Sequence, residues 1–444
     1  MLINTHLTDC AWPAVPDDAS AQALALQFQL EHSQWLDIDR LNQRQHLQLQ
    51  CVLKACALHI PYWRKVLASA GIKSGAPLTA ETLRQLPVLR RRDVQAAADH
   101  LLNRTIHPAH GKIIKSSTSG STGEPVRFYQ TAITQHYWRA LTLREHFWQR
   151  RDFSGKLAVI RSNTEAGRSP NWGPATWSLI QTGPACSLNI RTDISAQLDW
   201  LAEENPDYLL THPSNLKALA VRAIECGVTL PRLRQLRTFG ELLTADTIML
   251  CRRAWNAGIA DIYSSEEAGY IAFQCERGSY HVQAESLIVE IVDEADVACA
   301  EGQSGRVLIT TLQNFAMPLI RYEIGDYAEA GGTCGCGRGL PLLQRIRGRQ
   351  RNMLRLPDGT RHWPSFPEER WVGIAPIQRL QVVQKTLDRI VLQICAERPL
   401  TDDESARLAS TFAATLKFPH QIQIEQLASF TRTDKFEDFI CEVA

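Results

Sequence analysis

Lys115-Ser116-Ser117-Thr118-Ser119-Gly120-Ser121-Thr122-Gly123-Glu124-Pro125 packs a dense run of hydroxyl side chains around two glycines. Glycine lets the backbone approach an anion and turn its N–H groups inward, and Ser and Thr add O–H donors. Ser117, Thr118, Ser119, Gly120, Ser121, Thr122 and Gly123 are therefore candidate phosphate contacts. No Gly-Lys-Ser/Thr follows the glycines, so this is not the Walker type of loop. Ser/Gly runs also serve as flexible linkers. Here the flanks argue for a loop with a job, because Gly111-Lys112-Ile113-Ile114-Lys115 and Pro125-Val126-Arg127-Phe128-Tyr129 read as the two strands of a hairpin.

The chain has 444 residues, enough for one large and one small domain. Hydrophobic residues make up 44%, an ordinary share for a globular protein. A net charge of +1 gives no reason to expect nucleic acid or an anionic membrane as partner. No apolar run has the length of a membrane span, and the N-terminus lacks the charged start and apolar core of a signal peptide. The expectation is a cytoplasmic protein. Its twelve cysteines then read as small buried hydrophobes with a few metal ligands among them, not as disulfides.

Residues 18–70 read as helices. Arg90-Arg91-Arg92-Asp93 reads as a solvated helix start or, less economically, a phosphate or CoA contact. From residue 156, short apolar runs alternate with helical patterns. Leu157-Ala158-Val159-Ile160, Tyr208-Leu209-Leu210-Thr211, Leu236-Arg237-Thr238-Phe239 and Ala260-Asp261-Ile262-Tyr263 are expected strands. Between them Ser214 is the expected cap of a helix ending at Gly227, and Thr244 starts another. Such alternation predicts an α/β fold with mixed, largely parallel sheets and helices on their faces. Ligands of such sheets sit at the carboxyl ends of strands, where Gly240-Glu241 and Ser264-Ser265-Glu266-Glu267 fall. The glutamate pair also suits a helix start, where it would complement the dipole. Residues 287–311 read as a β subdomain. Beyond Gly348-Arg349 come a hairpin at 353–360, strands near 380–383 and 389–395, a capping box at Thr401-Asp402-Asp403-Glu404, and a last strand at 421–424. The expected division is residues 1–347 as a large N-terminal domain binding ATP and acid, and 348–444 as a small, mobile α+β lid.

Thr118-Ser119-Gly120-Ser121-Thr122-Gly123-Glu124-Pro125 resembles the phosphate loop of the adenylate-forming enzymes, which include acyl-CoA ligases and adenylation domains. Tyr263-Ser264-Ser265-Glu266-Glu267 is similar to that family's Tyr-Gly-x-Ser/Thr-Glu motif, with Ser264 for Gly and Glu266 for the hydroxyl residue. Arg321-Tyr322-Glu323-Ile324-Gly325-Asp326 resembles its Tyr-Arg-Thr-Gly-Asp motif with the first two residues exchanged. Gly348-Arg349 resembles the hinge, followed here by Gln350, Arg351 and Asn352 where the family has an aspartate. Thr431-Arg432-Thr433-Asp434-Lys435-Phe436 resembles the Ser-Gly-Lys-Phe signature. The resemblance runs in order over about residues 59–440. Its flavour is that of the phenylacetate–CoA ligase and capsular-biosynthesis ligase branch, carried also by residues 314–322, 334–341 and 61–64. It implies that Tyr263 stacks on adenine with Ser264 beside the nucleotide, while Gly240 and Glu241 are candidate nucleotide contacts from their place at a strand end. Glu267 holds Mg²⁺, Asp326 takes the ribose hydroxyls, Arg349 contacts ribose or phosphate, and Lys435 is the lid lysine of adenylation.

The expected activity is that of an ATP-dependent acid–thiol ligase. A carboxylic acid is adenylated with loss of pyrophosphate, and the acyl group passes to CoA with loss of AMP. An amine or a carrier protein stays open as acceptor, and so does a nucleotide-binding scaffold without turnover. The acid is not legible, although Trp172, Phe239 and Tyr270 would suit an aromatic one as well as they would suit packing.

One cluster stands outside these motifs. Cys275, His281, Cys334 and Cys336 make the Cys₃His set that Zn²⁺ prefers in structural sites, and Gly335 and Gly337 let the short Cys-x-Cys segment converge. All four are expected in polar or glycine-rich loops. Members of the resembled branch carry a similar pattern, which implies a structural zinc. It would clamp the loop after Glu267 to the loop after Asp326.

Overall fold

The computed structural model describes residues 2–72, 80–117, 125–162, 164–364, 366, 370–416, 421–430 and 436–443. Acidic caps start the first helices. Asp17 accepts from the Ser20 N–H ahead of α1 (Asp18–Ser33), and Asp37 accepts from the Arg40 N–H ahead of α2 (Ile38–His59). Proline at the first position starts α3 (Pro61–Ser69). After α4 (Ala80–Arg84) comes α5 (Arg91–Leu101), where the Arg90 N–H donates to the Asp93 carboxylate. The expected hairpin is present: β1 (Ile114–Ser117) pairs antiparallel with β2 (Arg127–Gln130), Ile114 opposite Gln130 and Ser117 opposite Arg127. Helix α6 (Ala132–Trp148) follows.

The alternating region supplies β3 (Leu157–Arg161), β4 (Gly167–Ser169), β5 (Ala185–Asn189), α7 (Ile194–Glu204), β6 (Tyr208–Thr211), α8 (Pro213–Cys226), β7 (Gln235–Phe239) and α9 (Ala245–Trp255). Next come β8 (Gly258–Ser265), β9 (Gly269–Gln274), β10 (Tyr280–Val282), β11 (Leu287–Val292), β12 (Ser304–Thr311), β13 (Tyr322–Ala330) and β14 (Leu342–Arg349). The C-terminal part holds the hairpin β15 (Leu354–Arg355) and β16 (Arg361–His362), then β17 (Ile377–Gln384), β18 (Arg389–Ala396), α10 (Asp402–Leu416), β19 (Gln421–Gln426) and β20 (Phe439–Cys441). No helix among the described residues is long and apolar enough to cross a membrane.

The chain divides into two compact, interleaved units. One comprises residues 1–157, 168–186 and 260–346, the other 158–167, 187–259 and 347–444. In the first, strands lie in the order β11-β12-β13-β14-β10-β9-β8, and the pairs β11/β12, β12/β13, β10/β14, β9/β10 and β8/β9 are antiparallel. Trp63, Leu86, Leu89, Ile271, Ile309 and Tyr322 belong to its core. In the second, β6 and β7 run parallel, Tyr208 opposite Gln235, as the strand–helix alternation predicts. Its C-terminal sheet has the order β19-β18-β17-β20 and is covered by α10 through Leu408, Phe412 and Leu416.

Two local expectations are corrected. The cap of α8 is His212, with Pro213 as first helical residue, so Ser214 lies inside the first turn and its N–H is accepted by Glu241 at 2.9 Å. Glu266 and Glu267 do not start a helix. They form the turn between β8 and β9, because Ser264 and Ser265 continue β8 past a bulge and pair with Tyr270 and Gly269.

A buried charge cluster joins α1, α6 and the segment after β10. Arg144, fully buried, donates to both oxygens of Glu285 at 2.7 and 3.0 Å, to Gln283 Oε1 at 3.0 Å and to the Leu30 carbonyl at 2.5 Å. Burial would push the Glu285 carboxyl up, but Arg144 outweighs it and holds the group below its ordinary value. Removing one partner leaves the other charge buried and bare. Arg144→Met should therefore cost about 3–5 kcal/mol at neutral pH. Denaturant titration should show the deficit shrinking as pH falls, starting above the ordinary carboxylate range, because burial raises the bared Glu285 and lets it take a proton early. A deficit independent of pH would mean that packing, not charge, is what Arg144 supplies.

Candidate active site

Bulged β8 and β13, separated in the sheet by β14, β10 and β9, bring together residues distant in sequence. The Tyr263 hydroxyl donates to Asp326 Oδ2 at 2.9 Å across 63 residues of sequence, so the expected adenine and ribose residues are physically linked. One turn residue further, the Tyr322 hydroxyl donates to Glu267 Oε1 at 3.4 Å. Tyr322 is almost fully buried, and its hydroxyl is held well above its ordinary pKa, first by burial and then by the Glu267 charge; Arg91 bonds to the same hydroxyl and opposes both. Arg91, Tyr322 and Glu267 thus form a chain that starts at the first residue of α5 and ends on the carboxylate expected to meet magnesium. Glu267 is itself mostly buried, whereas Glu266 points into solvent.

The exchange of Arg321 and Tyr322 acquires a reason here. Arg321 adopts a left-handed backbone, φ 48°, and its side chain is buried. Its guanidinium donates to the carbonyls of Arg84 at 3.0 Å and Leu86 at 2.6 Å and meets Glu290 at 3.2 Å. Its own carbonyl accepts from the Leu89 N–H at 3.0 Å, and Leu89 in turn accepts from the Glu323 N–H at 2.9 Å. The arginine is a strut, and the tyrosine after it reaches Glu267. Arg91 was one of three residues in a charge run, and Tyr322 half of an altered motif. The sequence pointed to both places without separating these roles.

In the second unit, Gly240 leaves β7 with φ 79°, the left-handed region glycine favours. Both carboxylate oxygens of Glu241 are engaged by backbone N–H groups, Oε2 by Ser214 at 2.9 Å and Oε1 by Phe436 at 3.1 Å. The expected hinge residue Gly348 has φ 94°, and the Arg349 N–H donates to Asn352 Oδ1 at 3.1 Å. Asn352 thus caps the turn where an aspartate was looked for. Ser264 sits at the β8 bulge, and Ser117 ends β1, exposed. Thr118, Ser119, Gly120, Ser121, Thr122, Gly123 and Lys435 lie outside the described residues.

Of the aromatic residues considered for an acid pocket, Trp172 packs on Phe153 and His146 and donates to the Gly155 carbonyl at 2.9 Å. Tyr270 stacks edge-on to Phe273 and shares a hydrogen bond with Thr142 at 3.1 Å. Phe239 lies on the His212 ring at 4.5 Å.

The four candidate metal ligands converge. Their ligand atoms all lie within 4.8 Å of one another. Cys275 and Cys334 sulfurs are 3.8 Å apart, and Cys336 Sγ is 3.2 Å from His281 Nε2. A tetrahedral zinc with Zn–S bonds of about 2.3 Å separates two sulfurs by about 3.8 Å. The Cys334–Gly337 turn closes with the Gly337 N–H on the Cys334 carbonyl, and Gly337 has φ 84°. One of the four is not in a loop as expected: His281 lies on β10, fully buried, whereas Cys275 opens the loop after β9 and is itself buried. Burial holds His281 neutral, with its pKa lowered to about 4, the form that binds metal. Burial pushes the Cys275 thiol up to about 11, although the Arg277 N–H donates to its sulfur at 3.3 Å. Burial also raises Cys334, but hydrogen bonds from Ser279 and from the Cys336 backbone prevail and hold it below its ordinary value. Arg338 hydrogen-bonds Cys336, stacks on Trp148 at 4.3 Å and pairs with Glu276 at 2.9 Å. A cation there would offset the charge of three thiolates.

No protein-family model matches the chain. Among curated proteins it is similar to the phenylacetate–coenzyme A ligase of Thermus thermophilus, 23% identical over 390 residues, covering 81% of this chain and 82% of that protein. It is 25% identical over 373 residues to the phenylacetate–coenzyme A ligase of Escherichia coli, covering 78% and 80%. Among solved structures, 2-hydroxyisobutyryl-CoA ligase in its postadenylation state shares the fold with a TM-score of 0.72 at 17% identity, over 93% of this chain and 92% of that one. An anthranilate CoA ligase gives 0.54 at 14% identity, over 87% and 78%. The likeness to the phenylacetate–CoA ligases runs along about four-fifths of the sequence, and the fold is that of the CoA ligases among the solved structures.

Proposed function

We propose that this chain is an AMP-forming ligase that adenylates a carboxylic acid and passes the acyl group to CoA. The observation that carries the reading is the linkage of Tyr263 to Asp326 and of Tyr322 to Glu267, which joins two motifs into one nucleotide-shaped set of donors and carboxylates. The acid's carboxylate attacks the α-phosphate and pyrophosphate leaves. The CoA sulfur then attacks the activated carbonyl and AMP leaves. No covalent enzyme intermediate is needed, so positioning and charge neutralisation are the protein's task.

In this reading Ser117, Thr118, Ser119, Gly120, Ser121, Thr122 and Gly123 take the phosphates. Tyr263 stacks on adenine beside Ser264 and Gly240, Asp326 takes the ribose hydroxyls, and Arg349 meets ribose or phosphate. Glu267 is the hard-oxygen ligand for Mg²⁺, which neutralises the phosphates when bound. Lys435 supplies a cation to the adenylation transition state. The division at residue 348 belongs to the same reading, and residues 348–444 having their own sheet and their own apolar core supports it. Phenylacetate is the first acid to test, since the curated relatives are ligases of that acid. Supplying CoA and then amines to a preformed acyl-adenylate decides the acceptor. Chemistry that consumes ATP and CoA fits the cytoplasm.

The cluster of Cys275, His281, Cys334 and Cys336 is proposed as a structural zinc site. Its four donors leave no position open for substrate. It would tie the strand after the Glu267 turn to the loop after β13, which carries Asp326.

Three outcomes test this reading. With the right acid, the products should be AMP and pyrophosphate; ADP and phosphate would overturn the assignment. Lys435→Ala should slow adenylation by about 10²–10³ while sparing thioester formation from supplied acyl-adenylate. Equal loss in both half-reactions would remove Lys435 from its role. Metal analysis should find about one zinc per chain, and Cys334→Ser should lower both zinc content and thermal stability. Purified wild-type protein free of metal would refute the site.

A further inference from the structure

The two oxygens of Glu267 have different surroundings. The residue is only 9% exposed. Its Oε1 is met by the Tyr322 hydroxyl at 3.4 Å, while its Oε2 has no hydrogen-bond or ion-pair partner among the described residues. A carboxylate oxygen so nearly buried is costly to leave bare, and a hard cation is the group that completes it.

Both ends of the contact are fixed by backbone. The turn that carries Glu267 is closed by Ser265 paired with Gly269, and Ser265 Oγ accepts from the Ala268 N–H at 3.1 Å. Tyr322 pairs with Ile309 of β12 on one side and bridges to Leu89 on the other. Arg91, the first residue of α5, then gives the contact its direction. A guanidinium carries donors only. The Tyr322 oxygen must therefore accept from Arg91, and its single O–H is left for Oε1 of Glu267. Without Arg91 the hydroxyl is free to turn its proton elsewhere.

We propose that Arg91 and Tyr322 are positioning residues that hold Oε1 of Glu267 by a one-way hydrogen bond, so that the glutamate meets its divalent cation through Oε2 alone and the site selects Mg²⁺ over Ca²⁺. The inference rests on the reading of Glu267 as the magnesium ligand. A carboxylate offering one oxygen suits the tight octahedral shell of Mg²⁺, with bonds of about 2.0–2.1 Å. Ca²⁺ takes about six to eight oxygens and gains from a carboxylate that offers both. Tying Oε1 to the protein withholds the second oxygen.

Binding without turnover reads this selection. Calorimetry measures the affinity of the protein for α,β-methylene-ATP, whose α–β bridge cannot be cleaved, with Mg²⁺ or with Ca²⁺ in excess. Wild-type protein should hold the magnesium complex more tightly. Tyr322→Phe should weaken the magnesium complex about tenfold and the calcium complex by less than about twofold, because the freed carboxylate can turn both oxygens to the larger ion. Arg91→Met should shift the preference the same way by about threefold, and should add nothing in the Tyr322→Phe background, since it acts only through the hydroxyl. Arg91→Met carries the test by itself if Tyr322→Phe does not fold. Equal loss with both cations, or an Arg91→Met effect that adds to that of Tyr322→Phe, would overturn the proposal. Glu267→Gln separates it from the reading beneath it. An unchanged affinity for the magnesium complex in that variant would remove Glu267 as the metal ligand, and the proposal with it.

Discussion

The site depends on one buried arginine. Arg321 holds the carbonyls of Arg84 and Leu86 and the carboxylate of Glu290, while its own backbone ties Leu89 to β13. Burial pushes the Glu290 carboxyl up, and Arg321 opposes that shift. Such a group is expensive to bury, and its return is geometric. It fixes the chain just before α5 to the first residue of β13. That places Arg91 and Tyr322 at one hydroxyl, and Tyr322 on Glu267. A lysine could not do this, because the fork of a guanidinium is needed to reach two carbonyls and a carboxylate together.

What the sequence made legible was local or chemical. The phosphate-loop hairpin, the α8 stop at Gly227, the Thr244 cap and the Thr401–Glu404 capping box are decided within a few residues, and each is present. The readings that failed depended on a partner far away. Ser214 carries a capping side chain, yet Pro213 after His212 sets the helix start and Glu241 takes the Ser214 N–H. Glu266 and Glu267 satisfy the rules for a helix start, but pairing of β8 with β9 claims the residues on either side. The role of Tyr322 could not be read either, since it is set by Arg91 and Glu267, each supplied by a different part of the chain.

The cysteine and histidine cluster shows the same division. Residue type and the Cys-x-Cys turn were enough to name four side chains that converge. Burial of His281 on a strand was not legible, because Tyr280-His281-Val282 is a strand only through its pairing with β9 and β14. Nor was Arg338, whose charge lies between Cys336 and Glu276 and whose plane rests on Trp148. Three thiolates around one dication would leave a negative charge in a half-buried place, and a weakly hydrated, planar cation would be the economical way to balance it.

A common device runs through the carboxylates of each unit. Asp326 is bound by Tyr263, Glu267 by Tyr322, and Glu241 by Ser214 and Phe436. Each is held by a donor of the protein before any ligand arrives. A carboxylate left to solvent would keep its hydration and its rotamer freedom and lose both on binding, which weakens every contact it makes. Fixing it with one internal hydrogen bond removes much of that cost and leaves further lone pairs on the same oxygens for ribose hydroxyls or a hard cation. Glu241 differs from the other two in having both oxygens answered by backbone N–H groups. Two donors on separate oxygens fix the plane of that carboxylate as well as its position.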